Sequence, residues 1–134
     1  MLFDFDLIIP AATPANQPVE ALATLTRGKI NRINVFFPPG PATLVHVVAR
    51  HNLHQLVPAN YDGTLNYDDT TIVSELDYNI VDAPYQIRMI GWSPTAVYQH
   101  TITFSFNLVP IDNDTWDDFN KLLFSLNIEN RSRR

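Results

Sequence analysis

Apolar and polar side chains alternate along most of the chain with a period of two residues. The longest case runs from Tyr98 to Leu108, where aromatic and aliphatic residues alternate with glutamine, threonine, serine and asparagine. This period predicts a β-strand with one buried and one solvated face. Shorter stretches of the same kind predict further strands over residues 2–9, 19–25, 29–37, 43–49, 53–57, 70–78 and 85–90.

Turn-forming residues separate the predicted strands. Glycine, proline and aspartate stand in the breaks, at 27–28, 38–41, 62–63, 82–84 and 93–94, and all three favour tight turns. Short strands punctuated in this way, with no helical pattern before residue 112, are typical of an all-β, antiparallel β-sandwich, and we favour a jelly-roll-like topology. The stretch 43–49 is apolar on both faces, which predicts a strand in the middle of a sheet.

The sequence Pro38-Pro39-Gly40-Pro41 has two interpretations: a polyproline ligand for a partner, or a rigid corner between strands. Polyproline ligands are exposed, extended segments that commonly have a basic residue nearby. No lysine or arginine occurs from Asn34 to Ala49, and proline cannot donate to a sheet ladder. The pattern therefore favours a corner of the sheet.

Residues 1–18 form an extended N-terminal segment in which an alternating strand is followed by prolines at 10, 14 and 18. Prolines at this spacing stiffen the chain. Two interpretations remain open. The strand pairs within its own sandwich, or it is an arm that adds an edge strand to a neighbouring molecule. The second interpretation gives five candidate partner-binding residues: Leu2, Phe3, Phe5, Leu7 and Ile9.

The C-terminal part departs from the strand pattern. Trp116, Phe119 and Leu123 recur at spacings of three and four residues, which predicts one short helix packed on the sandwich. The chain is thus expected to divide into an N-terminal strand or arm with its linker (1–18), a β-sandwich (19–111), and a C-terminal helix with a basic tail (112–134). The tail is either a solvated terminus or a contact to the acidic region of a neighbouring copy, through Arg131, Arg133 and Arg134.

Composition narrows the function classes. A length of 134 residues suits one domain, and the absence of cysteine excludes disulfides, zinc thiolate sites and cysteine nucleophiles. The net charge is −5, with the acidic residues concentrated between positions 62 and 118, which argues against direct nucleic-acid binding. No apolar run is long enough to cross a membrane.

The residues that could carry chemistry form no catalytic or metal-binding pattern. The four histidines do not have the spacing of a compact zinc site. The aspartates at 62, 68 and 69 have no acid–base spacing and are common turn residues. We therefore expect no enzyme activity, no metal and no cofactor. Three aromatic residues remain as a candidate ligand loop, because such rings stack on sugars, or else as a plug at the end of the sandwich: Trp92, Tyr61 and Tyr98.

The stretches GKINRINVFFPPGPATLVHVVARHNLHQLVPAN, SELDYNIVDAPYQIRMIGW and AVYQHTITFSFNLV resemble small β-sandwich accessory proteins encoded among the structural genes of tailed bacteriophages. The shared features are a G-x-I start, an F-P-x-G corner, Q-x-x-P, D-A-P-Y and a final H-T-I strand, and they cover roughly residues 27–109.

The resemblance implies a virion component, made in the host cytoplasm and localised on the capsid surface. It further implies a decoration or cement protein, a homotrimer or other multimer that binds a major capsid protein through its termini. The alternatives are a carbohydrate-binding or host-adhesion module that uses Trp92, Tyr61 and Tyr98, and a tail or adaptor protein of the virion.

Overall fold

The computed structural model of the protein describes residues 1–111. All regular structure in this range is β-strand, arranged in two antiparallel sheets of four strands, so the predicted β-sandwich is confirmed. No helix among these residues is long and apolar enough to cross a membrane. The strands are β1 (Leu2–Ile9), β2 (Val19–Thr24), β3 (Gly28–Phe37), β4 (His46–His51), β5 (His54–Val57), β6 (Thr70–Ile80), β7 (Gln86–Trp92) and β8 (His100–Val109).

Strand order follows a jelly roll. The first sheet has the order β1-β8-β3-β6 and the second has the order β2-β7-β4-β5. Strands at equal distance from the two ends of the series pair with each other: β1 with β8, β2 with β7, β3 with β6, and β4 with β5. The strands from β1 to β8 thus form one long hairpin that rolls up into two layers, with the two-residue turn at 52–53 as its tip.

The core lies between the two sheets and follows the alternation of the sequence. β8 lies between β1 and β3, and its inward side chains alternate with threonine, serine and asparagine on the solvent side. Because successive side chains of a strand point to opposite faces, one such strand supplies a continuous apolar row. The rows that meet in the core include Ile102, Phe104, Phe106 and Leu108 of β8, Ile33, Val35 and Phe37 of β3, Val47 and Ala49 of β4, and Ile87 and Met89 of β7.

The N-terminal strand belongs to this core, which corrects the arm interpretation. β1 pairs with β8 of its own chain along its whole length, from Leu2 opposite Asn107 to Ile9 opposite His100. Leu7 and Ile9 are buried, and the two phenylalanines of the strand pack against the core. The inward residues Phe3, Phe5, Leu7 and Ile9 are therefore occupied within the sandwich, which begins at β1 and not at residue 19.

Other differences from the prediction are local. β4 begins at His46 and not at residue 43, because Ala42 and Thr43 have positive φ angles of 49° and 65° that interrupt the extended backbone. Trp92 is the last residue of β7 and not part of a loop. The predicted C-terminal helix and the tail with Arg131, Arg133 and Arg134 lie outside the described residues.

The proline-rich segment is a corner, as predicted. Residues 38–45 carry the chain from β3 in the first sheet to β4 in the second. Gly40 has a φ of 128°, which L-residues rarely adopt. The backbone N–H groups of Gly40 and Ala42 donate hydrogen bonds to Asp68 Oδ1 over 3.0 and 2.8 Å. The carboxylate of Asp68 thus stabilises a turn.

We expect Ile9→Ala to lower the free energy of unfolding by about 2–5 kcal/mol, because truncating a fully buried isoleucine leaves a cavity. Ile8 is the matched control, since the same side chain is 54% exposed one position earlier on the strand; Ile8→Ala should change stability by about 0.5 kcal/mol or less. Urea denaturation of both variants measures the difference. Equal small effects would contradict the placement of β1 in the core.

Candidate functional site: an arginine–aromatic face on the second sheet

The outer face of the second sheet combines buried apolar residues with aromatic and charged ones that are half-buried or exposed. β4 is one of the two inner strands of this sheet. Val47 and Ala49 point into the core, so His46, Val48 and Arg50 point outward. Val48 is nevertheless only 1% exposed. Neighbouring side chains therefore shield the outer side of the strand from water.

β7, the other inner strand, shows the same alternation. Gly91 faces the core, since a Cβ at this position would lie 2.5 Å from Ile9 Cδ1. Ile90 and Trp92 therefore point outward, and Ile90 is only 4% exposed. The register places His46 opposite Trp92, Val48 opposite Ile90, and Arg50 opposite Arg88. We call these six residues, together with Tyr61, the Arg–aromatic face.

At one end of the face, where β4 begins and β7 ends, two aromatic rings are stacked. The rings of His46 and Trp92 have centroids 5.7 Å apart and planes that differ by 9°. His46 Nδ1 lies in hydrogen-bonding distance of the Thr64 hydroxyl, at 3.1 Å. Burial lowers the pKa of His46 below its ordinary value, so the imidazole is neutral at pH 7. A neutral ring packed on Trp92 holds the indole in place at the end of β7.

The opposite end of the face, at Arg50 and Arg88, holds two guanidinium groups. Arg50 Nε donates to Gln55 Oε1 over 3.1 Å, and its guanidinium carbon lies 4.5 Å from the centroid of the Tyr61 ring. A guanidinium group at this distance over an aromatic ring is a favourable cation–π arrangement. Arg88 donates to the backbone oxygen of Asn52 over 3.2 Å and lies 3.6 Å from a carboxylate oxygen of Glu20.

Gln55 fixes the loop that carries Tyr61. Its side chain is buried, at 3% exposure. Nε2 donates to three backbone oxygens of the loop, those of Pro58, Asn60 and Gly63, over 2.8, 2.9 and 3.2 Å. The same side chain accepts the hydrogen bond from Arg50, so one buried amide positions both the arginine and the loop.

A second group of titratable residues lies where the β4–β5 hairpin meets β6. The His54 ring stacks on Tyr78 with centroids 5.2 Å apart, and His51 Nδ1 lies 2.5 Å from the Tyr78 hydroxyl. Burial, and secondarily the imidazole of His54, lower the pKa of His51. Burial raises the pKa of Tyr78. The cluster is thus a hydrogen-bonded pair of neutral groups at pH 7, covered by a third ring.

Two of the three aspartates that the sequence analysis weighed as an acid–base set, Asp62 and Asp68, have structural partners. Asp68 accepts the two turn hydrogen bonds from Gly40 and Ala42, and Asp62 Oδ1 accepts one from the Asn60 amide over 3.3 Å. In the part of the chain that the structure describes, no three histidine, aspartate or glutamate residues are grouped closely enough to hold a metal ion.

The structure brings together two of the three aromatic residues of the predicted ligand loop. Trp92 and Tyr61 flank the same outer face, near His46 and Arg50, which lie four residues apart on one strand and therefore roughly 13 Å from each other. Tyr98 lies apart from them, in the 93–99 loop, where it is 74% exposed.

The sequence did not single out Arg50, Arg88, Gln55 or His46 as parts of one site. Arg88 interrupts an apolar run and Arg50 ends one, and this signal could have marked two strands with charged outward positions. The pairing of β4 with β7 is needed to bring the two arginines together, and it joins segments about forty residues apart.

Comparison with known proteins assigns no family to the chain. No protein-family model matches it, and no curated protein does. A solved structure named "Crystal Structure of FLHE" is similar over 81% of this chain and 96% of its own length, with 10% identity and a TM-score of 0.39. A similarity of this size indicates neither the family nor the function of the chain.

We expect Gln55→Leu to lower the free energy of unfolding by about 1–3 kcal/mol, because loop carbonyls would be left in a buried position without a donor. Gln99→Leu makes the same chemical change at an exposed position and should have little effect. Urea denaturation of both variants tests this. A Gln55→Leu variant as stable as Gln99→Leu would contradict the anchoring role of Gln55.

We also expect the protein to lose stability as the pH falls below about 6.5. The folded-state pKa values of His46 and His51 are lowered, so the unfolded chain binds more protons than the folded chain between the two pKa values. The free energy of unfolding therefore rises with pH in that window and is constant above it. Denaturation curves between pH 5 and 8 measure the slope, which His51→Gln should reduce. A protein more stable at pH 5 than at pH 7 would contradict the assignment.

Proposed function

We propose that the protein is a non-enzymatic structural virion protein that decorates a capsid, and that the Arg–aromatic face is its docking surface. The observation that carries the proposal is the presence of Trp92, Tyr61 and Arg50 on one outer face. Tryptophan, tyrosine and arginine are the residue types most enriched among the few side chains that dominate binding energy at protein interfaces. The resemblance of residues 27–109 to phage accessory proteins supports the choice of a virion partner.

In this proposal the contact is made by the face of the second sheet and not by the N-terminal strand. The inward residues of β1 pack within their own sandwich, so these side chains are not free for the contact that the sequence suggested. The sheet face offers side chains that are already held in place, His46 by Thr64 and Arg50 by Gln55. Preorganised side chains lose less conformational entropy on binding than a free arm does.

The size of the face favours several copies acting together. Four strands about 4.8 Å apart and about six residues long give the whole second sheet a projected area of roughly 400 Å², and the Arg–aromatic face is only part of it. A standard stable interface buries about 800 Å² on each partner. One copy would therefore bind weakly. A homotrimer or other multimer on a repeating lattice would multiply such a contact through effective concentration.

A carbohydrate-binding or host-adhesion module is the second candidate, because Trp92 and Tyr61 lie on one face and aromatic rings can stack on sugar rings. One face of each ring is already in contact, with His46 and with Arg50 respectively. The arrangement is thus less open than a flat sugar platform. A tail or adaptor position in the virion would use the same docking surface on a different virion protein.

We expect Trp92→Ala to weaken binding to capsids at least tenfold, since truncation of a tryptophan that anchors an interface commonly costs about 2 kcal/mol or more. The assay is co-sedimentation with heads assembled from the shell protein of the same genome. Phe36→Ala is the control, because Phe36 is 42% exposed on the first sheet. Thermal melting shows whether both variants remain folded.

Two results would overturn the decoration proposal. One is a wild-type protein that does not sediment with heads. The other is a Trp92→Ala variant that binds heads as well as the wild type. Glycan binding that Trp92→Ala abolishes, in a protein without affinity for heads, would instead establish the carbohydrate-binding alternative.

A further inference from the structure

Two arginines face each other on the outer surface of the second sheet. Arg50 of β4 and Arg88 of β7 are directly opposite in the antiparallel register, and both point away from the core. Side chains in this relation have Cβ atoms about 4.5–5.5 Å apart, and like charges directly opposite are destabilising. A sheet that keeps such a pair needs something to offset the repulsion.

The charges of Arg50 and Arg88 are only partly compensated by other groups of the chain. Glu20 lies near Arg88 but belongs to β2, which is on the side of β7 away from β4. Two guanidinium groups and one carboxylate leave one positive charge in excess. Arg50 is partly compensated by the Tyr61 ring and by the amide oxygen of Gln55, and neither is an anion.

Arg50 is also held with donors to spare. Its Nε donates to Gln55, and its guanidinium carbon lies over the Tyr61 ring. In the part of the chain that the structure describes, the side-chain hydrogen bond of Arg50 is made by Nε, and its two terminal amino groups donate none. These two groups together can bind a carboxylate end-on, through two parallel hydrogen bonds. The side chain is thus oriented by its Nε while its terminal nitrogens remain available.

We propose that the docking partner inserts a carboxylate side chain, glutamate or aspartate, between Arg50 and Arg88. This inference rests on the proposed function, since it names the chemistry that the Arg–aromatic face recognises on the protein it binds. One carboxylate matches the single excess positive charge, whereas a phosphate monoester would reverse the sign of the site.

The first test compares head binding of Arg50 variants over a range of salt concentrations. Arg50→Gln should weaken binding at least tenfold and reduce its salt dependence. Arg50→Lys, which keeps the charge but loses the planar fork, should retain the salt dependence and still lose affinity. Arg32→Gln is the matched control, because it removes the same charge from an exposed position on the first sheet, and it should bind within twofold of the wild type.

The second test needs no capsid. The wild-type chain is titrated with a hexaglutamate peptide, with inorganic phosphate and with a hexalysine peptide, and the Nε–H resonance of each arginine is followed by NMR. Hexaglutamate should shift the Arg50 and Arg88 signals and leave Arg32 unchanged, while hexalysine should shift none of them. Phosphate should shift Arg50 less than the peptide does at equal concentration.

The two tests separate failure of this inference from failure of the proposed function. Heads that bind Arg50→Gln as tightly as the wild type would overturn the carboxylate site and leave the decoration proposal standing. A wild-type chain that does not bind heads, but whose arginine signals shift with hexaglutamate, would overturn the decoration proposal and support the carboxylate site. A stronger response to phosphate than to the peptide would overturn the inference.

Discussion

The architecture depends on the burial of one row of side chains in β8. Ile102, Phe104 and Phe106 are fully buried and form the middle of the first sheet, with β1 on one side and β3 on the other. Because this row needs an apolar surface opposite it, the second sheet must present Val47 and Met89 inward. Because successive side chains of a strand point to opposite faces, residues next to these inward ones must point outward. The positions of Arg50 and Trp92 on the surface are therefore consequences of how the core is packed.

The outer face of the second sheet has a small apolar layer of its own. β4 and β7 are inner strands, and Val48 and Ile90 are buried on the side away from the main core. A polar tether accompanies this layer: Gln55 binds three carbonyls of the 58–63 loop. The interior of this region is therefore partly hydrogen-bonded, and it supports a surface with fixed side chains. A fixed surface suits recognition, because little conformational entropy remains to be lost on binding.

The distribution of charge separates the two outer faces of the sandwich. The first sheet carries four carboxylates at outward positions, Asp4 and Asp6 on β1 and Glu75 and Asp77 on β6, against Lys29 and Arg32 on β3. The second sheet carries the opposed arginines against Glu20. A partner with carboxylates would thus be attracted to the second sheet and repelled by much of the first, which would orient the molecule on a lattice. Such orientation acts through electrostatic complementarity, which contributes more to specificity than to affinity.

The sequence by itself determined the strands, the corner at 38–41 and the inner position of β4, because each depends on local alternation, on proline geometry or on the absence of a polar face. It could not decide whether Leu7 and Ile9 pack within their own sandwich or on a neighbouring molecule, since an amphipathic strand has the same pattern in both cases. Only the tertiary structure placed Trp92 on β7 and Arg50 opposite Arg88. These contacts join residues far apart in the chain, and their register is set by the fit of two apolar sheets across a shared core, which no local pattern encodes.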